Sequence, residues 1–282
     1  MIQSIKTELW KAFHNRSFYW ALLIGVLVSL INVVENILLV NEYSALMINS
    51  SYISKSYQGF SLFVNWIAIN LSSVGSRVFY LIWPILAAMP YGWSYYQDRK
   101  TGIYDHLISR TGSFTYFTSK YAAVFLSGGT VIAMPVLLNL LINAMVCPYY
   151  LPKVISSLVM VFDGNFLSEL FYTIPWIYAL IWCTVDFVWG GVTACICFIV
   201  GTKPRLQVLV TITPFVIYAL IDYLYTILLN IVRFNIEMSP LKLAAAASAN
   251  HNPEWLVISE LSIILIVTFT IGYRQVRKNE LV

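Results

Sequence analysis

Six long apolar runs constrain this chain more than any other feature of it: roughly Phe18 to Val40, Val78 to Tyr96, Tyr121 to Cys147, Leu170 to Val200, Leu206 to Val232 and Trp255 to Tyr273. A bilayer crossing takes about 20 mostly apolar residues, because in hydrocarbon a helix satisfies its own backbone polar groups and an irregular segment does not. Charged side chains supply 11% of the 282 positions and hydrophobic ones 59%, whereas a globular domain is about a quarter charged. The chain therefore reads as one all-α integral membrane domain over residues 1–282, with six transmembrane helices. No stretch is left for a soluble domain of useful size.

An even number of crossings puts both termini on one side, and lysine and arginine are retained in the cytoplasm. Lys6, Lys11, Arg16, Arg99, Lys100, Arg110, Lys120, Lys203, Arg205, Arg274, Arg277 and Lys278 fall on the same side as the termini, and are twelve of the seventeen basic residues. Lys55, Arg77, Lys153, Arg233 and Lys242 are scattered over the segments that alternate with these. Both termini are expected to be cytoplasmic and the location to be the cytoplasmic membrane. The first apolar run lacks a small-residue cleavage site, so no removable signal peptide is expected. Two outer segments, 41–77 with FSLFVNWIAINL and 148–169 with KVISSLVMVF, each have room for a short interfacial helix. The segment NIEMSPLKLAAAASANHNPEW, between Pro240 and Pro253, admits a helical hairpin dipping into the outer leaflet or a plain loop.

Two features are expected on the cytoplasmic side. Over residues 1–17, Ile2, Ile5, Leu9 and Phe13 recur at helical spacing while Lys6, Glu8, Lys11 and Arg16 point elsewhere, which predicts an amphipathic interfacial helix or a simple basic flank. Between the second and third runs, Ile103, Tyr104, Leu107 and Ile108 fall on one stripe of a short helix. The short cytoplasmic segments of the chain offer that stripe no groove, so it is expected either to seat in another polypeptide or to lie on lipid.

With these residues in place, the chain resembles the ABC-2 type permeases, the membrane subunits of ATP-binding-cassette exporters. The likeness covers nearly the whole length: an amphipathic start, six spans with both ends inside, and a first cytoplasmic loop over 97–113 that opens with QDRKTGIYDHLISR, with Lys120 following it. In that family the loop carries an acidic residue, a Gly-Thr-like pair, a Leu and a later Lys, positions that Asp98, Thr101, Gly102, Leu107 and Lys120 look like. The pair is inverted to Thr-Gly here, and Ser109-Arg110-Thr111-Gly112 stands where a proline often follows. The resemblance implies an ABC-2, type V exporter-like fold and a coupling helix on which a separate ATPase pulls. Asp98, Thr101, Gly102, Ile103, Tyr104, Leu107 and Ile108 would form the docking site. It also implies a second permease chain, with ATP and magnesium held by the ATPase rather than by this chain.

Catalytic motifs are missing from the sequence. No G-x-x-x-x-G-K-[ST] occurs, the pairs Gly128-Gly129 and Gly190-Gly191 lie inside apolar runs, and His14, His106 and His251 are far apart. The chain is expected to be neither an enzyme nor a metal protein, to carry no cofactor, and to bind no nucleic acid. Cys183, Cys195 and Cys197 lie within one apolar run and form no disulfide framework. Glu35, Asp186, Asp222 and Glu260 fall within the spans, where ionisable groups are costly and usually face a wet interior, so they are the candidate translocation path. Glu35, Asp222 and Glu260 lie toward the outer span ends, where wet or Arg77-paired surface groups are the other reading. Asp186 sits mid-span, as a path residue or as a neutral structural one. The leading expectation is a permease subunit moving an amphiphilic peptide, drug or lipid-like substrate. Its rival is an ion-coupled secondary transporter using Asp186, Asp222 and Glu260.

Overall fold

The computed structural model describes residues 1–49, 61–152, 161–201, 206–232, 235–248 and 250–280. Lys55, Lys153, Lys203, Arg205 and Arg233 of the charge pattern, and most of KVISSLVMVF, lie outside them. The described chain is helical, apart from one isolated bridge between Ile236 and His251. In order, the helices are α1 (Ile2–Phe13), α2 (Arg16–Asn49), α3 (Leu62–Asn65), α4 (Val74–Ala88), α5 (Ser94–Lys100), α6 (Ile103–Thr111), α7 (Ser113–Val146), α8 (Ser168–Thr173), α9 (Pro175–Val200), α10 (Gln207–Val232), α11 (Pro240–Leu243) and α12 (Glu254–Glu280).

Five of these, α2, α7, α9, α10 and α12, are long and apolar enough to cross a membrane. The chain thus has the character of a multi-pass membrane protein. The span expected over Val78 to Tyr96 is not one helix. Its apolar part, α4, has 15 residues, a rise of about 22 Å against a hydrocarbon core of about 30 Å. Turns over 89–93 then separate it from α5. Pro90 lacks the N–H that a continuing helix needs, and a Cβ at Gly92 would come within 2.6 Å of the Ala88 carbonyl. The fourth expected span is likewise split, α8 ending at Thr173 and α9 opening on Pro175.

α7 and α9 form the central pair, with α2 packed on α7 and α4, α10 on α4 and α9, and α12 on α9 and α7. The glycine pairs permit the central contact. A Cβ at Gly190 would lie 2.8 Å from the Gly128 carbonyl oxygen, and one at Gly128 would lie 3.0 Å from that of Gly190. Small residues of this kind let membrane helices approach and gain dispersion contacts where no hydrophobic drive exists between them. The outer faces of α2, α10 and α12 carry exposed Leu23, Leu27, Leu220, Leu224, Ile263 and Ile266. Such faces suit lipid or another helix.

The two ends of the bundle differ. At one, α1, α5, α6, the start of α7 and the end of α12 close around Tyr95, Tyr104, Phe117, Phe198 and Val276. These elements bear Lys6, Lys11, Arg99, Lys100, Arg110, Lys120, Arg274, Arg277 and Lys278, so it is the basic end. At the far end, the connection from α10 to α12 is a loop with a single short helix, and Leu243 to Ser248 are buried in it. Ala246 and Ala247 donate their N–H groups to the Ala68 carbonyl. The hairpin alternative is therefore absent among the described residues, and the loop is a plug rather than a surface strap. α3 does not lie on the surface either: its Leu62 and Phe63, and Trp66 and Ile67 just after it, are buried in the core.

Candidate coupling end and buried carboxylates

The basic end is built on one lysine. Lys120, one turn into the buried part of α7, is 1% exposed and contacts two carboxylates: Asp98 of α5, its nearest partner, and Glu8 of α1 at 3.6 Å. Its ammonium also faces the rings of Tyr91 and Tyr116, 5.5 and 5.4 Å from their centroids. The Tyr116 hydroxyl donates to Asp98 at 2.7 Å and that of Tyr91 to Glu8 at 2.8 Å, while Lys11 pairs with Glu8 at 2.8 Å. Buried charges are tolerated only when paired and hydrogen-bonded, and here every carboxylate has at least two partners. Burial alone would push the Glu8 carboxyl up. The Lys120 charge, with the Lys11 and Tyr91 hydrogen bonds, outweighs it and holds Glu8 below the usual range. Burial and the Glu8 charge raise the Tyr91 hydroxyl well above its ordinary value.

The loop from α5 to α7 is shaped by two glycines. Gly102 (φ 72°) and Gly112 (φ 78°) take the left-handed backbone that a side chain disfavours, and they bound α6. The Thr101 hydroxyl bonds back to the Gln97 carbonyl at 2.9 Å. Thr101-Gly102 is thus the turn that aims α6. Tyr104 donates its hydroxyl to the Val276 carbonyl at 2.8 Å and packs edge-on against Tyr95 and Tyr116.

The expected docking stripe is divided by this packing. Tyr104 and Ile108 are buried in the chain's own core, Leu107 is half-buried against it, and Asp98 is engaged with Lys120. The expectation that this chain supplies no groove is therefore wrong, because α5, α7 and α12 provide one. The face left outward on α6 consists of Ile103, 49% exposed, with Asp105, His106, Ser109 and Arg110, next to the exposed Thr101 and Gly102. Glu8, Tyr91 and Tyr116 were not anticipated. Glu8 had a signal, since it shares a helix face with Ala12 and a pairing distance with Lys11.

The four intramembrane carboxylates do not meet at one site, although Asp222 and Glu260 each lie within electrostatic reach of Glu237. Glu35 accepts from the Val74 N–H at 3.2 Å and from the Ser73 hydroxyl, so it caps the N-terminus of α4. Arg77 does not pair with it; its guanidinium donates to the Ser72 carbonyl at 3.1 Å. Asp222 pairs with Lys242 of the plug at 2.8 Å. Glu260 is half-buried on α12, within electrostatic reach of Glu237. Asp186 alone lies in the core, fully buried, and accepts the Tyr80 hydroxyl on Oδ2 at 3.3 Å.

An amide knot at the far end was also unanticipated. Asn32 and Asn36 of α2 and Asn139 and Asn143 of α7 are all fully buried. The Asn36 amide donates to Asn143 Oδ1 at 2.9 Å and to the Asn65 carbonyl at 2.9 Å, and Asn139 donates to Asn32 Oδ1 at 3.1 Å. Each pair is four apart in an apolar run, a signal that attention to ionisable groups alone passes over. Among the described residues no group of three or more His, Cys, Asp or Glu side chains is placed to hold a metal. No family model, no curated protein and no solved structure matches this chain.

Proposed function

We propose that this chain is the permease subunit of an ATP-binding-cassette transporter, working in the cytoplasmic membrane with a second permease chain and a separate pair of ATPase subunits. The basic end would face the cytoplasm, and the substrate would be an amphiphilic peptide, drug or lipid-like molecule passed toward the outer leaflet or the exterior. The observation that supports this most is the fastening of α6. It is tied to α12 through Tyr104 and Val276, and α5 beside it is tied to α7 and α1 through Asp98, Lys120 and Glu8.

A push on a loose loop is dissipated locally, whereas a push on a loop packed into the bundle moves the helices behind it as a body. α7 would carry the motion to α9 across the Gly128–Gly190 contact, where there is no side chain to absorb it. Closing of the ATPase pair on ATP would then bias the bundle between two arrangements through differential contact with α6.

The test is co-purification with a candidate ATP-binding-cassette ATPase co-expressed with this chain. Ile103→Asp and Arg110→Glu alter the outward face without touching the core, and each is expected to lower ATPase recovery about tenfold, the equivalent of about 1.4 kcal/mol, at unchanged permease yield. Undiminished recovery in both variants counts against the docking reading. Leu107→Asp is a poorer probe, because Leu107 also packs inward. Transport by the lone chain in vesicles, driven by an ion gradient, would instead establish the secondary-transporter reading.

A further inference from the structure

Two rungs of large side chains join α4 to α9 in the core. In one, Tyr80 meets Asp186; in the other, the Trp83 and Trp189 rings meet edge to face with centroids 6.1 Å apart. Tyr80 and Trp83 are three apart on α4, and Asp186 and Trp189 three apart on α9, so each pair lies on one helix face. Trp83, Asp186 and Trp189 are fully buried. Asp186 Oδ1, the Nε1 of Trp83 and of Trp189, and the hydroxyl of Tyr178, two turns back on α9, have no hydrogen-bond partner among the described residues.

Native interiors leave few buried polar groups unpaired, each at a cost of about 1–3 kcal/mol. Elsewhere in this same core the indoles are satisfied: Trp66 donates to the Val136 carbonyl and Trp182 to that of Ala244, each at 3.2 Å. The chemistry of the unpaired set limits what complements it. A bare cation suits the carboxylate but is repelled by the indole N–H groups, and an anion does the reverse. A hydroxyl-type oxygen accepts from an indole and donates to a carboxylate at once.

We propose that the rungs between α4 and α9 bind such an oxygen, ordered water in the resting protein, accepting from the Trp189 indole and donating to Asp186 Oδ1. A buried water needs about three polar partners, and Trp83, whose ring meets that of Trp189, brings a further indole N–H to the same rungs. Asp186 is then a hydrated side chain rather than a dry structural one. A hydroxyl of a bound amphiphile offers the same chemistry and would displace the water. This inference does not depend on ATPase docking, since it concerns the lone chain.

Hydrogen exchange of the indoles tests it. The chain, labelled with 15N-tryptophan in detergent micelles, is moved into D2O, with Trp83→Phe and Trp189→Phe assigning the two signals. The Trp83 and Trp189 N–H groups should exchange at least about tenfold faster than those of Trp66 and Trp182, which share the core but are paired. Asp186→Leu, which removes the acceptor that holds the water, should bring the two rates together, and Asp186→Asn should not. Equal, slow exchange of all four indoles in the wild-type chain overturns the proposal whether or not the leucine variant folds, and so does fast exchange that Asp186→Leu leaves unchanged. Comparing maltoside with amine-oxide micelles separates the sources. The same rates in both mean water, and slowing confined to the sugar-headed detergent means a bound ligand hydroxyl.

Discussion

Lys120 is the residue on which the basic end depends, because its ammonium is shared by the buried Glu8 and the half-buried Asp98. Removing one partner of a buried ion pair leaves uncompensated charge and costs about 3–5 kcal/mol. Lys120→Met is accordingly expected to lower the thermal midpoint in detergent sharply, and adding Asp98→Asn to it should recover part of the loss, since the orphaned charge goes with it. Glu8 makes a pH prediction with a definite sign. Its folded pKa lies below the ordinary 4.5, so its contribution to holding α1 is complete above 4.5 and is lost as pH falls through the folded value. Proteolysis within α1 should therefore accelerate only in acid below that point, and Glu8→Gln should remove the acid step. The two residues also mark what the sequence withheld: Lys120 and Asp98 stood out, but that they neutralise each other depends on α1 supplying Glu8 from 112 positions earlier, which no local pattern reveals.

At the scale of elements, the pairs Gly128-Gly129 and Gly190-Gly191 stood out inside apolar runs, but that they meet across α7 and α9 is a finding of the structure. Gly190→Ala should cost about 1–3 kcal/mol, because the added Cβ meets the Gly128 carbonyl, which is backbone and does not rotate away; a melting curve in detergent reads it. A variant as stable as the parent would mean that the helices slide apart at no cost. Five of the six expected spans correspond to long apolar helices. The remaining one, Val78 to Tyr96, is not a single long helix, because hydropathy does not register a stop. Pro84, inside α4, did not break it, whereas Pro90 with Gly92 did. The outer segment FSLFVNWIAINL suggested an interfacial helix for a related reason: apolar residues suited to a membrane surface, such as Phe63 and Trp66, suit the buried core equally well.

For the whole molecule, the two ends make opposite predictions about sidedness. Ser109 is exposed on α6 and His251 on the plug. In oriented membranes of an otherwise cysteine-free but fully folded chain, Ser109→Cys should react with an impermeant thiol reagent only from the cytoplasm, and His251→Cys only from outside; labelling of both from one side would overturn the proposed orientation. The link from Tyr104 to the Val276 carbonyl spans 172 positions, and it has a consequence for synthesis. While α12 is still inside the ribosome, α6 lacks one wall of its seat. On the proposed function, the outward face that would recruit an ATPase is then finished only once α12 is in place, so a stalled or clipped product would engage the motor poorly and spend little nucleotide.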